Sequence, residues 1–189
     1  MTSSSSLDAF LREVGAVVAA STDPKTILDG VSDQLRRLLA GPVFLGEAHV
    51  KPDKSSINAS VLHLDPQRRF VVTAVAWAPQ QGTPIHDHAD WGVIGAASNR
   101  LILTGYRRED DGATAGFADV AEVSKVLISE NSFAYVRPPE DLITKLENPF
   151  RDPAVSLHVF GDTEPWQNMF DPPAKMVTRL EPSPGTVGV

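Results

Sequence analysis

Apolar positions follow two different periods along this chain, and the change falls at Gly41. Before it, Leu7, Phe10, Leu11, Val14, Val17 and Val18 recur at helical spacing behind a serine run that can cap the start. A second stripe, Ile27, Leu28, Val31, Leu35, Leu38 and Leu39, follows Thr22-Asp23-Pro24. There a capping side chain precedes a proline suited to the first helical turn, and Gly41-Pro42 closes the stripe. Both stripes predict helices with one packed face.

Beyond Gly41 the texture becomes short runs rich in β-branched and aromatic residues: "VLHLD", "RFVVTAVAWA", "WGVIGAA", "RLILTGY", "VAEVSKVLIS", "SFAYVR", "LITKLE", "AVSLHVF" and "KMVTRLE". Turn-forming "PQRR", "PQQGTP", "EDDGATAG", "RPPED" and "NPFRDP" separate them. Eight or nine strands without helical crossovers predict an antiparallel sandwich or closed barrel with the helices outside. The chain therefore reads as one domain: a helical segment at 1–41, a β-barrel over 42–181 and a flexible tail at 182–189.

Composition narrows the function classes. The 189 residues suit one core, and no apolar run approaches the roughly 18 to 20 residues that span a bilayer. The N-terminus lacks the basic-then-apolar pattern of a secretory signal, so no membrane partner is expected. No cysteine is present, which excludes disulfides, thiolate metal sites and cysteine nucleophiles and makes a cytoplasmic location the default. The net charge of −7 comes from scattered acidic residues without a basic stripe, so nucleic acid is not an expected partner. G-x-S-x-G is absent, and "DDGATAG" lacks the lysine and following helix of a phosphate loop.

Chemistry concentrates in "PIHDHADWGVIG", which holds two of the five histidines. In a strand, His86 and His88 project to one side while Asp87 faces away. Two imidazoles on one face suit a divalent first-row metal, and "PQQGTP" would set them near a barrel mouth. The same spacing also fits a pair with ordinary hydrogen bonds. In "AVSLHVFG", Ser156, His158 and Phe160 share one face, which brings a third imidazole inward from a late strand. His63 reads as a satisfied strand histidine, Trp77 and Trp91 as packing residues, and Arg100 and Arg137 as surface groups.

The segments "WAPQQGTPIHDHADWGVIGAASNRLILTGY" and "NPFRDPAVSLHVFG" resemble the cupin superfamily and, within it, the cysteine dioxygenase-like thiol dioxygenases, over about His63 to Phe170. The resemblance implies a mainly β fold: a cupin double-stranded β-helix, or jelly-roll barrel, with N-terminal α-helices packed outside. It further implies Fe2+ held by His86, His88 and a third histidine, with Ser156 and His158 as catalytic neighbours. In that family an upstream arginine grips the substrate carboxylate, and O2 converts a thiol into a sulfinate.

The chain departs from that pattern at several positions. Counting back from His158 by the family spacing reaches Thr144 where the third histidine is expected. Phe160 stands in place of a tyrosine, and Ala59 or Ser60 in place of the arginine. Leu101 fills a position that is often glutamate in bacterial relatives. A substrate pocket of Ala59, Ser60, Leu101, Thr144 and Phe160 would be less charged and more apolar than the family's. His158 is then expected either as a third ligand or behind the metal as an acid or base.

These features lead to the expectation of a metal-dependent oxygenase, an iron-dependent dioxygenase with Fe2+, or alternatively Ni2+ or Zn2+, in the site. Its small-molecule substrate would be a thiol or another electron-rich metabolite that is not free cysteine, with O2 as co-substrate. Two alternatives stay open: a non-redox metal-dependent isomerase or lyase, and a degenerate cupin acting as a binding module. Exposed sheet edges would allow a homodimer.

Overall fold

A computed structural model describes residues 3–41, 45–139, 142–161 and 168–179. The tail expected at 182–189 lies outside them. Two helices lead the chain, α1 (Ser3–Ala20) and α2 (Pro24–Leu39), and a short α3 (Glu47–Val50) interrupts the segment expected to be all β. The cap read from sequence is in place: Asp23 Oδ2 accepts the Thr26 N–H at 2.9 Å, and Pro24 opens α2. Among the described residues no helix is long and apolar enough to cross a membrane.

Two antiparallel sheets follow. The first contains β1 (Asn58–Leu64), β2 (Val71–Trp77), β5 (Gly92–Ser98), β8 (Phe133–Val136) and β10 (Ala154–Phe160), in the order β1-β2-β10-β5-β8. The second contains β3 (Gln81–Gly82), β4 (Ile85–Asp87), β6 (Arg100–Arg108), β7 (Val120–Ser129), β9 (Ile143–Asn148), β11 (Asn168–Asp171) and β12 (Met176–Arg179). Its order is β12-β11-β4-β9-β6-β7, with β3 pairing β9. From β4 to β11 the chain crosses repeatedly between the sheets, with β4, β6, β7, β9 and β11 in the second and β5, β8 and β10 in the first, which produces a double-stranded β-helix with helices on one outer face.

Alternation along the strands divides the first sheet into two cores. Val72, Ala74, Val93, Leu157 and Val159 point outward and pack with Leu28, Val31, Leu35 and Leu39 of α2. Contact there is close enough that a Cβ on Gly95 would come within 2.8 Å of both Leu35 and Leu39. Val71, Val75, Trp77, Ile94 and Phe160 point the other way, into the barrel, where they meet Leu101, Leu103 and Leu146 of the second sheet. β2 is buried at every position because both of its faces are covered.

Candidate metal and substrate site

The H-x-H pair lies where the short β4 is pinned between β9 and β11. His86 pairs with Thr144 on β9 and with Met169 on β11, so its ring shares the inner face with Thr144. His88 follows the strand, and its backbone N–H continues the pairing to Leu142 O at 2.9 Å. Asp87 faces the other way and holds β11 in place: its carboxylate accepts the backbone N–H and the Nδ2 of Asn168, both at 2.6 Å. Aspartate between the histidines therefore serves strand pairing, while the imidazoles turn inward.

Each imidazole is fixed by a different neighbour. His86 Nδ1 lies 2.9 Å from the Pro84 carbonyl, which can only accept, so Nδ1 carries the proton and Nε2 presents a lone pair. That Nε2 is buried and has no hydrogen-bond partner. His88 Nε2 meets Thr144 Oγ1 at 2.9 Å, and the His86 and His88 ring centroids are 4.7 Å apart. Phe160 stacks on His88 at 4.9 Å with the planes 6° apart.

A buried relay sets the tautomer of His158. The Trp77 indole, a donor only, gives its Nε1–H to Ser156 Oγ at 2.8 Å. The Ser156 hydroxyl proton then has one neighbour, His158 Nε2 at 2.8 Å. With the serine donating to Nε2, the Trp77 N–H, the Ser156 hydroxyl and Nε2 are all paired, and the ring proton is assigned to Nδ1. Nδ1 is buried without a partner, so His158 presents an N–H to the barrel interior.

Burial disfavours the charged form of all three rings. It lowers His86 and pushes His88 well below its usual range, with His86 and His158 adding repulsion. His158 is pushed down to about 3, by burial first and by His86 second. The cluster is therefore neutral at pH 7.

The donor set can be compared with what an ion needs. Among the described residues no group of three or more His, Cys, Asp or Glu comes together to hold a metal ion. Two nitrogens nevertheless suit a first-row divalent cation: the bare His86 Nε2, and His88 Nε2 once it exchanges the Thr144 hydroxyl for the ion. In the tautomer set by Ser156, His158 offers a hydrogen-bond donor.

The other expected pocket residues divide. Thr144 and Phe160 touch His88. Ala59 lies on the inner face of β1 opposite Val75 but is exposed, at the border of the barrel. Ser60 is a correction: it pairs with Ala74 and turns to the helix side, because adjacent strand residues cannot share a face. Leu101 is also corrected. It is fully buried against the inner core, four residues before Gly105, the partner of Thr144, or roughly 13 Å along the strand.

Other candidates lie elsewhere. His63 pairs with Val72 on the outer face beside Phe70. Trp91 packs into the helix-side core, and Tyr135 reaches Ser32 of α2 at 3.3 Å. The Arg100 guanidinium covers the Phe150 ring at 4.2 Å.

Sequence reasoning missed Thr73 and Gly92. Thr73 pairs with His158 across β2 and β10 on the inner face, and its hydroxyl is buried without a partner. Gly92 pairs with Phe160, and a Cβ there would lie 2.1 Å from the Phe160 ring. The signal for Thr73 was the lone hydroxyl in the otherwise apolar "FVVTAVAWA".

No family model matches the sequence. Solved structures to which the chain is similar include a Klebsiella pneumoniae protein with a double-stranded β-helix domain. It is 14% identical over 75% of this chain and 98% of that one, with a TM-score of 0.46. A Cupin 2 conserved barrel domain protein from Salinispora arenicola is 18% identical over 64% and 87%, with a TM-score of 0.43. Oxalate oxidase in complex with glycolate is 16% identical over 66% and 62%, with a TM-score of 0.46.

Proposed function

We propose that this chain is a metal-dependent cupin oxidoreductase that uses O2 on a small, uncharged, electron-rich metabolite such as a thiol or an enolisable carbonyl compound. His86 and His88 would hold Fe2+; Ni2+ or Zn2+ suits the same two imidazoles, but Zn2+, without redox chemistry, would serve only a non-redox isomerase or lyase. The reading rests on one observation: two imidazoles turn into the barrel with ring centroids 4.7 Å apart, and one presents a buried nitrogen without a partner. Substrates carrying a carboxylate find no guanidinium or ammonium partner, since no arginine or lysine is among the buried polar residues described.

A ferrous ion held by His86 and His88 would supply redox and Lewis-acid chemistry to the reaction. The chain's own residues do the positioning. The Pro84 carbonyl holds the His86 proton on Nδ1, keeping Nε2 free to ligate. Phe160 holds the His88 ring in one plane. Trp77 and Ser156 keep the His158 proton on Nδ1, from which it donates a hydrogen bond to oxygen carried by the substrate. A neutral donor suits this role, because burial opposes forming an imidazolium.

The His88–Thr144 hydrogen bond favours a second reading, a barrel that binds a small molecule without an ion. Metal titration separates the two. The first reading expects about one Fe2+, Ni2+ or Zn2+ per chain, affinity lowered on the order of 100-fold in His86→Ala and His88→Ala, and metal-dependent O2 consumption with some member of a thiol and diketone panel. Failure of all three ions to bind would leave the metal-free reading.

A further inference from the structure

We infer that Thr73 is a substrate-positioning residue: its hydroxyl and the His158 Nδ1–H together bind a carbonyl or hydroxyl oxygen of an uncharged substrate. The inference rests on the small-molecule site proposed above and narrows its ligand class.

Thr73 sits on the inner face of β2 between Val71 and Val75, both members of the inner apolar core. Valine has the same shape and would fill this position without a polar atom. The hydroxyl instead stands 2% exposed with no hydrogen-bond partner. An unpaired buried hydroxyl lowers folded-state stability and needs a compensating role.

Its location supplies that role. Thr73 is the direct cross-strand partner of His158 in an antiparallel pair, so the two side chains stand side by side on one face. His158 Nδ1 is the second buried polar atom without a partner there, and His86 Nε2 is the third. The histidine N–H can only donate, the threonine hydroxyl can donate or accept, and His86 Nε2 can only accept or ligate. A carbonyl oxygen satisfies the two donors, and a hydroxyl satisfies a donor and an acceptor.

Charge selects the ligand. Asp65 is the one carboxylate among the buried polar residues described, which include no lysine or arginine. Arg69 holds it in a two-pronged ion pair on the β1–β2 connection. In the metal-free chain nothing buried around Thr73 and His158 compensates a carboxylate or an ammonium, so entry of either would leave a charge unpaired.

The test compares wild type, Thr73→Val and Thr73→Ser, each metal-free and Zn2+-loaded, with pentane-2,4-dione as the uncharged probe and acetate as the charged one. Titrations followed through 15N-labelled histidine rings report probe affinity and the His158 tautomer. In the metal-free protein we expect a protonated Nδ1 on His158, shifts of that ring with the dione and not with acetate, about tenfold weaker dione binding in Thr73→Val and near-wild-type binding in Thr73→Ser. Thr73→Val should also unfold at a higher denaturant concentration, since it removes an unpaired hydroxyl. Equal dione affinity in wild type and Thr73→Val, no dione binding to wild type, or a lower unfolding midpoint in Thr73→Val would each overturn the assignment. Zinc stoichiometry in the same samples reports separately on the metal site.

Discussion

His88 and Phe160 lie face to face, ring centroids 4.9 Å apart and planes 6° from parallel. Phe160 can take that position only because its cross-strand partner is Gly92, where a Cβ would fall 2.1 Å from Cε1 and 2.3 Å from Cδ1. The contact is with a ring fixed in a packed core, so no flexible end can give way. Gly92→Ala should displace Phe160 and, through it, His88. We expect a loss of about 1–3 kcal/mol in denaturant unfolding, together with weaker metal binding than wild type. Unchanged stability and affinity would mean that Phe160 does not orient His88.

The fold was legible where periodicity was long and unbroken. Helix α2 declared itself by its apolar stripe and by Asp23-Pro24, and strands such as β10 by alternation. The H-x-H strand was legible through its chemistry alone. β4 spans three residues, too short to show a period, and β3 and β11 were missed for the same reason. Within the site, parity along single strands correctly turned His86, Ser156, His158 and Phe160 inward. It failed for Ser60 because the reading did not separate neighbouring residues on an edge strand. The depth of Leu101 and the pairing of Thr73 with His158 depend on register between strands, which one sequence does not display.

Thr144 decides the state of His88 in the metal-free protein. Its hydroxyl is the hydrogen-bond partner of His88 Nε2, at 2.9 Å. Thr144→Val keeps the shape and removes the partner, leaving a buried nitrogen unpaired. Metal-free Thr144→Val should lose about 1–3 kcal/mol of stability. An ion that takes His88 Nε2 no longer has to displace the hydroxyl, so stabilisation by saturating Zn2+ should be larger in the variant than in wild type. Unfolding curves with and without Zn2+ check both signs; equal zinc stabilisation would argue that His88 does not ligate through Nε2.

Thr144→His tests the position where the family pattern places a third imidazole. His86 and Thr144 are direct partners on β4 and β9, so a ring at 144 would emerge on the same face as His86. Two-ligand binding should become three-ligand binding, with affinity for Fe2+ or Zn2+ raised on the order of 100-fold. Competition with a chelator of known affinity provides the measurement. No gain would show that the ion site lies away from the His86–Thr144 pair.

Acid sensitivity follows from three buried neutral rings. Each has its folded-state pKa lowered from the ordinary 6.5, His158 to about 3, so the unfolded chain binds protons that the native state does not. Their contribution is fully present above pH 6.5 and is lost as pH falls below it, at up to about 1.4 kcal/mol per pH unit for each ring that stays neutral in the native state. Asp65 does not confuse this window. Its carboxyl, held by Arg69 at about 2 instead of 3.8, gives stability that persists above pH 4 and is lost only below it. Denaturant midpoints of the metal-free protein should therefore fall steadily from pH 6.5 to 4.5, and His158→Gln should flatten the slope by about one proton. A midpoint that stays constant across that range would mean that the rings are already solvated, and the buried cluster would lose its basis.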